Sequence, residues 1–281
     1  MNIKELNILI HQNLNNLYPK EEIQVFYFML LDFYGNILKT DILLSPQLEI
    51  SKSIEINILN AINQLKSEKP IQYILGETEF FSNRFFVNEN VLIPRQETEE
   101  LVAWTISEIG DNQEISILDI GCGSGCISIS LAKALPKAKV YALDISEKAL
   151  EIAQKNAQEN DVKINFIQQN ILHTCSLSRK YDIIISNPPY VRELEKQEIQ
   201  NNVLNYEPHI ALFVPNENPL IFYEKIANLA IKSLNEKGIL FFEINQYLSE
   251  ETSKMLKNKG FKHLELRNDL SGNPRMLKVK L

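Results

Sequence analysis

From residue 115 onward, short runs of apolar, β-branched residues alternate with longer stretches whose apolar positions recur every three or four residues. That alternation constrains the fold more than any other feature. A run such as Tyr181-Asp182-Ile183-Ile184-Ile185 carries apolar side chains on both faces of a strand and needs cover on both sides. Interleaved helices supply it, and the result is a doubly wound, mostly parallel α/β sheet. The pattern predicts strands over 115–120, 139–143, 164–168, 182–186, 239–244, 263–267 and 276–280. It predicts helices over 97–109, 126–135, 147–160 behind a Ser146 cap, 220–235 ended by Gly238, and 249–259.

Residues 1–75 follow a different rule and read as a small all-helical domain. Ile3, Leu6, Ile10, Leu14 and Leu17 share one helical face. A second helix starts after Pro19, with Glu21 and Glu22 in its first turn, and runs to Gly35. Its bulky face of Ile23, Phe26, Tyr27, Leu30, Leu31 and Tyr34 is a natural core. A third stretch over 53–65 repeats the pattern, and Pro70 ends the run. Between the two regimes, 78–81 and 84–87 flank Ser82-Asn83 as a two-residue hairpin turn. The expected organisation is a helical domain over 1–75, a hairpin joint over 76–94 and the α/β domain over 95–281.

Charge and cysteine usage narrow the function. The net charge of −7 disfavours a duplex nucleic-acid clamp, whose phosphate contacts call for a basic face. Cys122 and Cys126 are spaced by three residues and no His or Cys pair completes a zinc set, so no metal is expected. Three cysteines suit a reducing compartment. Met1-Asn2-Ile3-Lys4-Glu5 opens no signal peptide and no run is apolar enough to span a bilayer, which points to the cytoplasm and away from membranes.

Ile117-Leu118-Asp119-Ile120-Gly121-Cys122-Gly123-Ser124-Gly125 is a strand entering a glycine turn ahead of a helix, with Asp144 ending the next strand. Glycines let a ligand approach the backbone closely, and an acid at that distance suits ribose hydroxyls. A purely structural turn would place glycines here too. The dinucleotide fingerprint has the wider spacing G-x-G-x-x-G, whereas G-x-G-x-G resembles the S-adenosylmethionine loop of class I methyltransferases.

The strand over 182–186 runs directly into Asn187-Pro188-Pro189-Tyr190. Two prolines donate no backbone hydrogen bonds, so strand pairing stops there. A strand-ending turn with an Asn cap accounts for Asn-Pro but not for the aromatic residue. The chemical alternative accounts for all four. The Asn187 side-chain oxygen and the Pro188 carbonyl can accept both N–H protons of a planar amide or amine, while Tyr190 offers a face for packing.

In combination these motifs resemble the release-factor glutamine methyltransferase family, over nearly the whole chain. The resemblance extends to Pro70-Ile71-Gln72-Tyr73-Ile74-Leu75-Gly76, Leu92-Ile93-Pro94-Arg95-Gln96-Glu97-Thr98-Glu99, Tyr206-Glu207-Pro208-His209-Ile210-Ala211-Leu212 and Asp269-x-x-Gly272-x-x-Arg275. It implies S-adenosylmethionine as cofactor and peptide chain release factors, through their Gly-Gly-Gln domain, as partners. Gly121, Cys122, Gly123, Ser124 and Gly125 would meet its methionine portion, Asp144 its ribose, Asn170 and Ile171 its adenine. Asn187 would border the cofactor and, with Pro188, Pro189 and Tyr190, hold the substrate glutamine, with Asn187 as the catalytic residue. The helical domain would help hold the release factor. Asn170-Ile171 departs from the family's usual Asp-aromatic pair, which removes charge assistance at the adenine. Gln96 stands where a proline is expected. Arg95, Glu97 and Glu99 read equally as a solvated helix start or as a border of the cofactor site. Asn-Pro-Pro-Tyr alone is shared with adenine and cytosine amino-methyltransferases, and an amino-methyltransferase acting on adenine in DNA or RNA remains the rival reading.

Overall fold

The computed structural model describes residues 1–110 and 114–281. The chain forms two compact units, one of residues 1–76 with 200–206, the other of 77–199 with 207–281.

The first unit holds α1 (Ile3–Leu14), α2 (Lys20–Gly35), α3 (Lys39–Leu44), α4 (Lys52–Leu65) and α5 (Ile71–Leu75). A reciprocal cap starts α1: the Glu5 amide donates to Asn2 Oδ1 at 2.9 Å and the Asn2 amide to Glu5 Oε2 at 3.0 Å. Ile3, Leu6, Ile10 and Leu14 pack in one core with Phe26, Tyr27, Leu30 and Leu31 of α2 and Ile58, Ile62 and Leu65 of α4. The aromatic face of α2 is therefore core, as its pattern predicts. Leu17 departs from expectation. The amides of Leu17 and Tyr18 both turn back to the Leu14 carbonyl ahead of Pro19, which leaves Leu17 45% exposed. Pro70 starts α5, since a helix start has no use for the missing N–H. Residues 200–206 complete the unit, with the Tyr206 hydroxyl donating to the Ser67 carbonyl at 2.7 Å.

The second unit opens with β1 (Glu77–Phe80) and β2 (Asn83–Phe86), whose register pairs Phe80 with Asn83. The loop is thus Phe81-Ser82, one residue earlier than the pattern predicts. Both residues take left-handed φ angles of 48° and 57°, a conformation that sequence rules reserve for Gly or Asn. Long-range bonds hold it: the Phe81 amide donates to Glu99 Oε1 at 2.8 Å, and Asn83 Nδ2 donates to the Phe81 carbonyl at 2.6 Å.

Then follow α6 (Gln96–Ile109), β3 (Ser116–Ile120), α7 (Cys126–Ala134), β4 (Lys139–Asp144), α8 (Glu147–Glu159), β5 (Ile164–Gln168), β6 (Tyr181–Ser186) and β7 (Val191–Arg192). In chain order α9 (Asn201–Tyr206), which belongs to the first unit, comes next, and then β8 (Phe213–Val214), α10 (Ile221–Ser233), β9 (Leu234–Glu243), α11 (Ser249–Asn258), β10 (His263–Asn268) and β11 (Pro274–Lys280) of the second. The hairpin packs on α8, where the Phe86 amide and carbonyl both bond to the Asn156 side chain.

Seven strands form one sheet in the order β10-β11-β9-β6-β3-β4-β5. The pairs β9–β6, β6–β3, β3–β4 and β4–β5 are parallel, and β11 runs antiparallel to both β9 and β10. The chain moves outward from β3 to β5 and returns to the other side of β3 as β6. Ligands of such sheets bind beyond the carboxyl ends of the strands at that reversal, which here is the gap between β3 and β6. Strand β9 begins earlier than predicted, because Leu234 pairs with Tyr181 ahead of a register shift and the helix gives way at Ser233. Gly238 therefore lies inside the strand. A Cβ there would come within 3.0 Å of the Leu234 side chain and the Asn235 carbonyl.

Candidate active site

Three glycines end β3, and each serves a different end. Gly121 and Gly123 have φ of 77° and 53°, and a Cβ on either would meet no protein atom within 4 Å. Both line the cavity, so a side chain at either would occupy ligand space. Gly125, at φ 80°, is needed for packing: a Cβ would lie 3.0 Å from Ile129 Cδ1 and 3.2 Å from Ala153 Cβ. The amides of Gly121 and Cys122 donate to the Leu143 carbonyl at 2.7 and 3.1 Å, that of Gly125 to the Cys122 carbonyl at 2.8 Å, and that of Gly123 to Asp144 Oδ2 at 2.9 Å. A pyrophosphate cradle needs free amides, and this loop has already placed those of Gly121, Cys122, Gly123 and Gly125 within the protein. The loop is built for a ligand without phosphate.

Asp144, half-buried at the end of β4, accepts from Gly123 with one oxygen and from the Ser146 amide with the other, at 2.9 Å each. Each oxygen keeps a lone pair for a ligand hydroxyl. Asn170 follows β5, and its Oδ1 accepts from the Leu172 amide at 2.9 Å, which caps a short 3-10 turn. Ile171 is buried in that turn. These residues surround a cavity of about 290 Å³, of the order of a small-molecule site. Val91, Leu172, Ile210 and Phe222 give it apolar walls, while Asp144, Asn170, Ser186 and Asn187 supply polar groups at the strand ends. A ribose-bearing, partly apolar ligand without phosphate, such as S-adenosylmethionine, suits this lining.

Asn187, Pro188 and Pro189 form the opposite wall. Asn187 Nδ2 donates to Thr98 Oγ1 at 3.2 Å, and Thr98 Oγ1 donates to Glu243 Oε2 at 2.6 Å. The second Glu243 oxygen accepts from the Tyr190 hydroxyl at 3.1 Å, and the Tyr190 carbonyl accepts from Asn245 Nδ2 at 3.0 Å. Tyr190 is thus engaged in the protein and packs on the apolar core of its side of the sheet. Burial pushes the Glu243 carboxyl above its ordinary range, against the bonds from Thr98 and Tyr190 and the charge of Arg275. Burial and the Glu243 charge likewise raise the Tyr190 hydroxyl.

Of the residues singled out in the sequence, the fold brings Gly121, Gly123, Asp144, Asn170, Ile171, Asn187, Pro188 and Pro189 to one cavity. Cys122, Ser124, Gly125 and Tyr190 are not on its wall. Cys122 and Ser124 are buried behind the loop. Burial also pushes the Cys126 thiol up to about 12, so no thiolate stands here. Two of the family-like segments meet each other: Glu207 Oε1 accepts from Arg95 Nη2 at 2.5 Å, and its Oε2 from the Ile93 amide at 3.2 Å. Gln96 is the first residue of α6 behind Arg95, a place where proline and glutamine are both accommodated. The Asp269-to-Arg275 segment is a tight turn in which Gly272 takes φ 87° and Arg275 Nε donates to Asp269 Oδ2 at 3.1 Å. Glu243 was not legible as a site residue. Its one signal is a carboxylate set between Phe242 and Ile244 in an apolar strand.

A parallel sheet reversed at β3, with a glycine loop and an acid, Asp144, at its carboxyl edge, defines a class I methyltransferase. A model of the methyltransferase small domain matches residues 100–209. A methyltransferase from Pyrococcus furiosus shares the fold at a TM-score of 0.53 and 15% identity, over 82% of this chain and 98% of that one. A release factor glutamine methyltransferase from Flavobacterium psychrophilum is 51% identical over 282 residues, 99% of each chain. Another, from Bacteroides thetaiotaomicron, is 41% identical over 276 residues, 98% of this chain and 99% of that one. The chain belongs to the release factor glutamine methyltransferase family. Among the described residues no helix is long and apolar enough to cross a membrane.

Proposed function

We propose that this protein transfers a methyl group to the side-chain amide nitrogen of the glutamine in the Gly-Gly-Gln loop of peptide chain release factors, in the cytoplasm. S-adenosylmethionine, when bound, supplies that methyl on a positively charged sulfur. Gly121 and Gly123 leave room for its methionine portion, Asp144 accepts from its ribose, and Asn170 and Ile171 flank its adenine. The observation that carries the substrate reading is the Asn187 side chain, whose NH₂ is spent on Thr98 while the residue faces the cavity. Its oxygen is left to accept one N–H of an incoming primary amide, and the Pro188 carbonyl accepts the other. An amide nitrogen is a weak nucleophile because its lone pair is delocalised. Two fixed acceptors orient it and stabilise the positive charge that develops on it, after which the proton leaves to water. The proline pair keeps both acceptors free of strand pairing. The helical unit serves to hold the release factor.

Mass spectrometry of a release factor incubated with the protein and S-adenosylmethionine tests this reading. One added methyl on the Gly-Gly-Gln glutamine is expected, and none after that glutamine is changed to glutamate, which offers no N–H. Methylated nucleic acid beside an unmodified release factor would overturn it in favour of an adenine substrate. If the helical unit holds the factor, KM for the intact factor lies below that for a short Gly-Gly-Gln peptide; equal values would remove that role.

A further inference from the structure

A primary amide has two nearly isosteric orientations, and for Asn187 they have opposite chemical consequences. With its oxygen toward the cavity, Asn187 accepts a substrate N–H. With its NH₂ toward the cavity, it presents a donor to a donor. Shape scarcely distinguishes the two; the partner on the far side of the amide decides.

That partner is Thr98, in the first turn of α6. Its hydroxyl has one proton to give, and Glu243 takes it at 2.6 Å. Glu243 accepts from the Tyr190 hydroxyl with its other oxygen as well, so in this contact it is the acceptor and Thr98 the donor. Thr98 Oγ1 is left with lone pairs alone, and only the NH₂ of Asn187, at 3.2 Å, can satisfy them. The Asn187 oxygen then has one direction left, toward the cavity. The other Glu243 oxygen takes the Tyr190 proton, so a single carboxylate fixes both ends of Asn187–Tyr190. Thr98 and Glu243 are 2% and 1% exposed, and neither lines the cavity. Both act through Asn187 without touching substrate or cofactor.

We propose that Thr98 and Glu243 are positioning residues that lock the Asn187 amide with its oxygen toward the substrate nitrogen, an inference that rests on Asn187 being the substrate's acceptor. The chain of bonds has a polarity, and Glu243 sets it. Replacing Glu243 by glutamine turns one of its two acceptors into a donor of the same shape. If that donor faces Thr98, the hydroxyl gives its proton to Asn187 and the Asn187 amide turns over. If it faces Tyr190, the phenol must find another acceptor in a buried place.

The test uses the full-length protein with an intact release factor and S-adenosylmethionine. Single-turnover methyl transfer at saturating concentrations is measured beside cofactor affinity by calorimetry. Thr98→Val, which keeps the shape and removes the hydroxyl, is expected to slow transfer by about ten- to thirtyfold while the cofactor Kd stays within about threefold of the wild type. Thr98→Ser, which restores the hydroxyl, is expected to recover to within about threefold. Glu243→Gln should slow transfer like Thr98→Val, and the double variant should be little worse than either alone, because both break the same chain. Wild-type rates in Thr98→Val would overturn the proposal, as would a Thr98→Ser variant as slow as Thr98→Val. If Glu243→Gln does not fold, the serine and valine variants decide between these outcomes on their own. A wild-type protein that leaves the release factor unmethylated would instead refute the substrate reading beneath it.

Discussion

At the end of β3, Gly123 is held by a carboxylate 21 positions away in the chain, whereas at the end of β6, Asn187 is held by a hydroxyl 89 positions away. The two segments face each other across one cavity. The glycine loop is tied by its own amides to Leu143 and Asp144 of the adjacent strand, so a strand–loop–helix–strand unit already contains what shapes it. The Asn187 wall depends on α6, β9 and the segment after β9, which meet only when the whole sheet has closed. Thr98 and Glu243, which bond to each other beside it, are 145 positions apart. The glycine-loop wall is a local structure and the Asn187 wall a tertiary one.

The largest effect should come from cutting the tertiary wall at its tip. Asn187→Ala is expected to lower kcat by about a hundredfold or more, the scale for one preorganised contact to developing charge. Cofactor binding should change little, because the glycine loop has its own supports. Single-turnover rates near wild type would break the distinction between the walls.

Asp144→Ala cuts the local wall and should show the opposite signature. Cofactor affinity measured by calorimetry is expected to fall by roughly 1.5–3 kcal/mol, typical of hydrogen bonds to a charged group. Part of that loss comes from the loop itself, since Asp144 also accepts from Gly123 and Ser146. Amide exchange at Gly123 should quicken in the same variant. Unchanged exchange with weakened binding would assign Asp144 to the ligand alone, and unchanged affinity would remove it from the site.

The smallest effect concerns Asp119, fully buried just before the loop. One of its oxygens accepts from the Ser128 amide at 3.1 Å and the other has no partner. Burial, aided by the charge of Asp144, raises its carboxyl from 3.8 to about 7. The folded state therefore keeps a proton that the unfolded chain releases at ordinary carboxyl pH. This group's contribution to stability is fullest below pH 3.8, declines as pH rises toward 7, and levels off above it. Asp119→Asn removes that slope, and its advantage over the wild type should grow by about 1–3 kcal/mol between pH 5 and pH 8. Thermal unfolding of both proteins across that range checks it. Parallel pH profiles would mean that Asp119 is not held protonated by its burial.

By itself, the sequence determined whatever depends on near neighbours and on periodicity. The alternation of apolar strands and amphipathic helices set the doubly wound sheet, because strands apolar on both faces have few other places to go. The glycine loop and Asp144 were legible because their spacing along the chain is also their relation in space. Asn187 to Tyr190 was legible as a motif, because two prolines after a strand must leave its last polar groups unpaired. Tertiary structure decided the rest. It moved the hairpin loop onto Phe81-Ser82, where Glu99 and Asn83 supply bonds that outweigh an unfavourable backbone angle. It began β9 at Leu234, because pairing with Tyr181 prevailed over the helical pattern. It joined Arg95 to Glu207, two residues of separate motifs whose meeting no spacing encodes. Above all it placed Glu243 and Thr98 behind Asn187. Which atom of an amide faces a cavity depends on the proton its neighbour has left to give, and that neighbour arrives only with the closed fold.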